Sequence, residues 1–262
     1  MGSATTQALA ASTDALAAAS GLNLDSAAEL FAAARAIAES AQLSGALADP
    51  AAPAEARSAL VAGVFAGASA PVRSLLTTVT AQRWSNASDL VDGVEELAIR
   101  TTAIASPKDD VSGELFGFSR VIAANPELEL ALGRRLGDDR AKGALVEKVL
   151  GANAAPATVL IASSLVRQPR ERRVRQIIAR AIDIVSAQSG RTVATVHTAA
   201  PLPAAQETRL RDALASRYGG EISVNQVIDP TVIGGLRVQI ADDVIDGSIS
   251  ARLADLRLKL AS

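Results

Sequence analysis

The sequence predicts a mostly α-helical chain that ends in a small α/β (α+β) module, with the helical part built from two tandem copies. Three observations carry this expectation. Apolar residues make up 49% of the chain and aromatic residues only 2%, so the core has to be assembled from Ala, Leu, Val and Ile. Such a core suits closely packed helices better than an aromatic-lined pocket. The first two thirds repeat at a spacing of about 85 residues. From residue 190 onward, helical periodicity gives way to short β-branched runs.

The repeat needs no gap. Glu29-Leu30-Phe31 falls on Glu114-Leu115-Phe116, Arg35 and Ile37 on Arg120 and Ile122, and Ala46-Leu47 on Ala131-Leu132. Ala59-Leu60-Val61 and Val64 fall on Ala144-Leu145-Val146 and Val149, Ala70-Pro71 on Ala155-Pro156, and Leu75 on Leu160. Roughly 17 of 48 positions are identical between residues 29–76 and 114–161. An Ala-rich composition inflates such a count, but the matched Phe, Arg and Pro positions are free of that bias.

Each copy reads as helices. Over residues 26–40, Ala27, Leu30, Phe31, Ala34, Ile37 and Ala38 recur at three-and-four spacing, with Asp25 or Ser26 as the cap. A short element follows at residues 43–47, and Asp49, Pro50 and Pro53 break the chain before helices at 54–66 and 72–81. The second copy repeats this over residues 111–166, broken at Asn125-Pro126. A helix over residues 86–104, with Leu90, Val91, Val94, Leu97, Ala98 and Ile99 on one side, closes the first copy and opens the second. Under the same shift it falls on a helix over 171–189, and the opening helix, 5–20, falls on it in turn.

After Gly190 the run from Thr192 to Thr198 alternates and reads as a strand, ended by Pro201 and Pro203. Residues 206–218 form an amphipathic helix stopped by Gly219-Gly220. Strands follow at residues 222–228 and 236–240, with a tight turn at Asp242-Asp243 before Val244-Ile245. Ser248 caps a closing helix whose apolar side is Leu253, Leu256, Leu258 and Leu260. The expected division is therefore residues 1–88, 89–189 and 190–262.

Composition narrows the function classes. At 262 residues and 26.7 kDa the chain is long for one domain and short for three. A net charge of −2 and a pI near 5.6 exclude a wholesale basic coat for nucleic acid. With no Cys there are no disulfides, thiolate nucleophiles or Cys-based metal sites. With His197 as the sole imidazole, a two-His metal site is excluded and a triad disfavoured. No catalytic residues, metal ligands or cofactor are therefore expected, and no enzyme. The start lacks a secretory pattern, although Gly2 and Thr6 formally fit the short myristoylation pattern. The charge-free stretch 149–166 is interrupted by Asn153 and Pro156 and reads as two helix ends and a turn rather than a membrane span.

Few residues suggest chemistry. Asp229, Asp242, Asp243 and Asp246 sit at expected turns, where Asp bonds to its own backbone, and match no calcium-loop spacing. Gly234-Gly235 is neither a dinucleotide fingerprint nor a P-loop, and reads as freedom between strands or close backbone approach. Arg167, Arg170, Arg172, Arg173, Arg175 and Arg180 form a basic run offset locally by Glu171 alone. That run reads as a solvated face backed by Val174, Ile177, Ile178, Ala181 and Ile182, as a protein-binding face, or as a binder of phosphate backbones without base stacking.

The run Val224-x-x-x-Ile228-Asp229-Pro230-Thr231-Val232-Ile233-Gly234-Gly235-Leu236-Arg237-Val238, followed by Val244-Ile245-Asp246-Gly247-Ser248, resembles the C-terminal signature of the delta subunits of F-type ATP synthases. The mitochondrial relative is the oligomycin-sensitivity-conferring protein. The resemblance spans roughly residues 190–260, and residues 89–189 are similar to the family's N-terminal helical bundle. Thr231-Val232 replaces the usual Ser-Leu, and Ala241 stands where Gly is usual. The extra first 85 residues or so resemble the longer actinobacterial form with a duplicated helical segment.

The resemblance implies a non-catalytic peripheral-stalk, or stator, subunit that ties the alpha/beta head to the b-subunit stalk, so that proton flow stays coupled to ATP synthesis. It implies a place in a hetero-oligomeric complex, peripheral on the cytoplasmic face of the plasma membrane, without membrane insertion or nucleic acid. It further implies that an alpha N-terminal segment is met by Val91, Val94, Leu97, Ala98, Leu160, Ile161 and Leu165, and subunit b by Val232, Ile233, Gly234, Gly235, Val244, Ile245 and Asp246. The alternative is a helical-repeat adaptor that binds RNA or another protein through residues 167–180.

Overall fold

The computed structural model describes residues 2–134, 138–151, 154–170, 172–240, 243–249 and 253. They fall into two compact units that divide between Val185 and Ser186.

The first unit is helical: α1 (Ser3–Ala18), α2 (Leu24–Glu39), α3 (Ala41–Ala48), α4 (Ala54–Val64), α5 (Ala70–Ala81), α6 (Ala87–Ala105), α7 (Val111–Ala124), α8 (Pro126–Gly133), α9 (Asp139–Leu150), α10 (Pro156–Arg167) and α11 (Val174–Gln188). An 85-residue shift lays α1–α6 on α6–α11 in order, and Ala41–Ala48 lands end to end on Pro126–Gly133. The helix α6 is thus common to both copies. Equivalent positions play equivalent parts: Leu30 and Leu115, Ile37 and Ile122, Leu47 and Leu132, and Val61 and Val146 are all fully buried.

A polar contact repeats as well. Glu29 Oε2 accepts from the backbone N–H of Ser69 at 2.8 Å and from its hydroxyl at 2.7 Å, at the start of α5. Glu114 Oε2 accepts from the backbone N–H of Ala155 at 2.9 Å and from the Thr158 hydroxyl, at the start of α10. In each copy a carboxylate from the second helix therefore satisfies orphan donors, and opposes the positive end, of the fifth helix.

Caps set the helix starts. Asn86 and Asp110 accept from backbone N–H groups in the first turns of α6 and α7. The cap of α2 is Asn23, whose side chain accepts from Ser26 N at 2.9 Å, and not Asp25 or Ser26 as expected. Asn23 holds the extended backbone a cap requires, whereas Asp25 already lies within the first turn. The charge-free stretch is divided as expected, since α9 ends at Leu150 and α10 begins at Pro156. Among the described residues no helix is long and apolar enough to cross a membrane.

The second unit holds β1 (Arg191–Thr198), α12 (Ala204–Tyr218), β2 (Glu221–Ile228), β3 (Leu236–Ile240) and β4 (Asp243–Asp246). The sheet order is β2-β1-β3-β4; β1 and β2 run parallel, with α12 as their crossover, while β3 and β4 add antiparallel. Its core is Ala194, Val196, Leu214, Ile222, Val238 and Ile240, with Leu202, Leu210 and Ile245 packed against it. Of the closing helix expected to turn Leu253, Leu256, Leu258 and Leu260 inward, Leu253 is described and is about half exposed, while Leu256, Leu258 and Leu260 lie outside the described residues, as do Ala241 and Asp242.

Candidate functional site

In the helical unit the candidate region lies on α6 and α10. Asn86 starts α6, and its neighbour Trp84 sits against the backbone of Gly93, where a Cβ would approach the indole ring to 2.2 Å. The indole N–H donates to Val79 O at 2.9 Å, which joins the end of α5 to α6. At the same junction the Thr5 hydroxyl donates to Asp89 Oδ2 at 2.5 Å and accepts from the Ser85 hydroxyl at 2.9 Å, docking α1.

The structure packs α6 against α10, and also packs α2 of the first copy on α6 and against α10. Val91, Val94, Leu97, Ala98, Ile161 and Leu165 are accordingly buried. Leu160 is half-buried and lines a cavity that α2 shares with α9 and α10. The large apolar side chains exposed on this unit lie elsewhere, at Val64, Ile104, Val121 and Leu130.

The basic run is largely absorbed by the fold. Arg172 Nη1 and Nη2 donate to the two oxygens of Glu95 at 2.8 and 2.9 Å. Arg170 pairs with Asp92 and lies 3.3 Å from Glu95, and Arg180 Nη2 donates to Glu96 Oε2 at 3.1 Å. Burial opposes the Arg172 charge, but the Glu95 hydrogen bonds and the Glu95 and Asp92 charges outweigh it and hold the guanidinium above its ordinary value. Arg175 pairs with Glu129 at the surface at 3.0 Å. The exposed Arg173 has no carboxylate partner among the described residues. A sequence signal for this network exists: Asp92, Glu95 and Glu96 share one helical face at i, i+3 and i+4. Arg170 takes a left-handed backbone, φ 48°, to reach it.

In the second unit the candidate residues surround the β2–β3 connection. Asp229 Oδ1 accepts from Thr231 N at 2.9 Å and from its hydroxyl at 2.7 Å, closing the turn. Gly235 has φ +78°, and a Cβ there would meet the carbonyl oxygen of Gly247 at 2.4 Å. The segments lock by backbone bonds, Gly247 N to Leu236 O at 2.9 Å and Ile249 N to Gly234 O at 3.1 Å. Gly234 and Gly235 are therefore positions of close approach within the chain itself.

This lock displays apolar surface. Ile233 is 68% exposed, and Val244, Ile249 and Leu253 are each about half exposed. Val232 and Ile245 are half-buried, with Ile245 packed on the core. Asp246 points outward, its carboxyl held below the usual range by the side-chain and backbone hydrogen bonds of Ser248. Ile249 and Leu253 belong to the same exposed set; the sequence placed Leu253 on the apolar side of the closing helix and did not single out Ile249. Tyr218 donates its hydroxyl to Asp243 Oδ2 at 2.9 Å, so Asp229, Asp243 and Asp246 all serve local bonds. Among the described residues no group of three or more His, Cys, Asp or Glu side chains is gathered to hold a metal ion.

The described residues thus form two compact units, each with its own candidate region. The family model described as "ATP synthase delta (OSCP) subunit" matches residues 96–260, a match that begins within α6 and leaves α1–α5 outside. Among relatives, a protein called ATP synthase subunit delta from Leifsonia xyli is 50% identical over the full length of both chains. The subunit delta of Acidothermus cellulolyticus is 38% identical over 89% of this chain and 87% of its own. That of Streptomyces avermitilis is 41% identical over 73% of this chain and 72% of its own. The match to the Leifsonia xyli protein extends over α1–α5 as well, and this chain belongs to the ATP synthase delta (OSCP) subunit family.

Proposed function

We propose that this chain is the stator link of a proton-translocating F-type ATP synthase, a non-catalytic subunit that holds the alpha/beta head to the b stalk against rotor torque. The observation that carries this reading is the match of the whole chain, both units included, to a subunit delta. In this reading residues 1–88, 89–189 and 190–262 are an added helical copy, a head-binding bundle and a stalk-binding module, and the chain works peripherally at the cytoplasmic face of the plasma membrane. The helical unit meets alpha N-terminal segments along α6 and α10. There Leu160 is the candidate reaching toward the surface, while Val91, Val94, Leu97, Ala98, Ile161 and Leu165 fix the helices from beneath. The exposed apolar set around Ile233 and Val244 takes the end of subunit b, as an amphipathic helix would be taken. Two units gripping two parts of one assembly gain from effective concentration.

Internal pairing of Arg170, Arg172 and Arg180 leaves little free charge for an RNA backbone. The test is a pull-down from native membranes with the purified full chain. Recovery of alpha and b is expected, with b lost on Ile233→Asp. Recovery of neither, together with steeply salt-dependent binding of single-stranded RNA, would replace this reading by the adaptor.

A further inference from the structure

A cavity of about 460 Å3 lies where the two copies meet, between Arg35 of α2, Glu147 of α9, and Leu160, Ser163, Ser164 and Arg167 of α10. Its walls are apolar or small except for the two guanidiniums, the serine hydroxyls and the exposed Glu147. Arg35 Nη1 and Arg167 Nε are both buried and have no hydrogen-bond acceptor among the described residues. The Arg167 guanidinium lies over Gly143, where a Cβ would meet Nε at 2.5 Å, so that glycine leaves room for it beside α9. Burial, and then the neighbouring Arg167 charge, lower the Arg35 value, which Glu39 and Asp139 only partly offset. Lys142, itself buried, spends its ammonium on Asp139 at 3.3 Å.

Two like charges that each present a buried, unmet N–H donor to one cavity carry a desolvation cost that a bound anion would relieve, and Glu39 and Asp139 offset the Arg35 charge only in part. We propose that this inter-copy cavity is a binding site for a single oxyanion, held between the Arg35 and Arg167 guanidiniums. Guanidinium forks from α2 and α10 suit the spread oxygens of a phosphate or carboxylate group. Occupancy would tie the added copy to the bundle it precedes.

The test is isothermal titration calorimetry of the full chain with sodium phosphate, and separately with sodium acetate, at constant ionic strength in chloride. Saturable one-to-one binding is expected, weakened about tenfold or more in Arg35→Gln and in Arg167→Gln, the loss of a charge-assisted bond. In chloride alone both variants are expected to keep the wild-type helical circular dichroism and a thermal midpoint no lower than wild type, since each removes one of two like charges. Arg35→Lys, which keeps the charge and loses the planar fork, is expected to weaken binding by a smaller factor. Saturation by phosphate alone assigns a phosphate source, and saturation by acetate as well assigns a carboxylate. No saturable binding of either anion, or equal binding by the wild type and both glutamine variants, would overturn the proposal.

Discussion

Replacing Glu95 by Ala tests whether the basic run is an internal clamp. Glu95 is 8% exposed and accepts two bonds from Arg172, at 2.8 and 2.9 Å, with Arg170 a further 3.3 Å away. Its removal leaves two guanidiniums, 24% and 16% exposed, facing Asp92 alone. Breaking a buried pair costs about 3–5 kcal/mol when the survivor is uncompensated. The surviving Asp92 contact and the residual access of water reduce this to about 2–4 kcal/mol. Helix propensity works in the opposite direction, since Ala is the better helix former. The surface pair Arg175–Glu129 is the control: its side chains are 48% and 31% exposed, so Glu129→Ala is expected to cost under about 1 kcal/mol. Trp84, the sole tryptophan, is buried against α6, and its emission during urea unfolding reports on the helical unit. The midpoint is expected to fall by about 1–2 M in Glu95→Ala. A Glu95/Arg172 double-mutant cycle is expected to give a coupling above about 1.5 kcal/mol. Equal effects of Glu95→Ala and Glu129→Ala would refute the clamp.

Other outcomes follow from the same contacts. Glu29→Ala and Glu114→Ala each strip two donors at the start of a repeat-equivalent helix, so both are expected to lose a similar amount, about 1–3 kcal/mol, by the same Trp84 readout. Gly235→Ala combines a left-handed backbone with a Cβ at 2.4 Å from a carbonyl oxygen. It is expected to destabilise the second unit by at least about 2 kcal/mol, seen as faster hydrogen exchange in β3 and β4. The folded-state pKa of Asp246 lies below its ordinary value, so its contribution to stability is present above that ordinary value and is lost as pH falls through the folded one. Ser248→Ala is expected to raise the Asp246 titration point toward the ordinary value in a carboxyl NMR titration. An unmoved titration would show that the Ser248 hydroxyl does not hold it.

The helical architecture was legible because the repeat carries its own check. Every helix of the first copy has a partner 85 residues on, and the breaks at Pro53, Pro71, Asn125 and Pro156 fall at helix ends. The strands were legible because β-branched alternation from Thr192 and around Val238 is unlike anything before Gly190. What periodicity could not show is the crowding around α6. The stripe Val91, Val94 and Leu97 marks one buried face, yet Glu95 and Glu96 are buried too, because arginines about 80 residues later neutralise them. Sequence spacing reports which side of a helix is apolar, but not how many neighbours arrive. For the same reason it did not reveal that α2 packs on α6 and approaches α10, or that Arg35 and Arg167 line one cavity. In the second unit the family-like glycines were legible as a pair. Their physical role, letting residues 234–236 lie against 247–249, depends on a backbone approach that only the folded chain displays.

The central claim is mechanical: the chain holds the head to the stalk and has no part in the chemistry. Its most direct test is ATP-driven proton pumping by membrane vesicles from cells lacking this chain, measured together with ATP hydrolysis before and after adding the purified full-length protein. The account predicts hydrolysis without pumping in its absence, and pumping restored by the wild type but not by Ile233→Asp. Full pumping in the vesicles that lack the chain would contradict it.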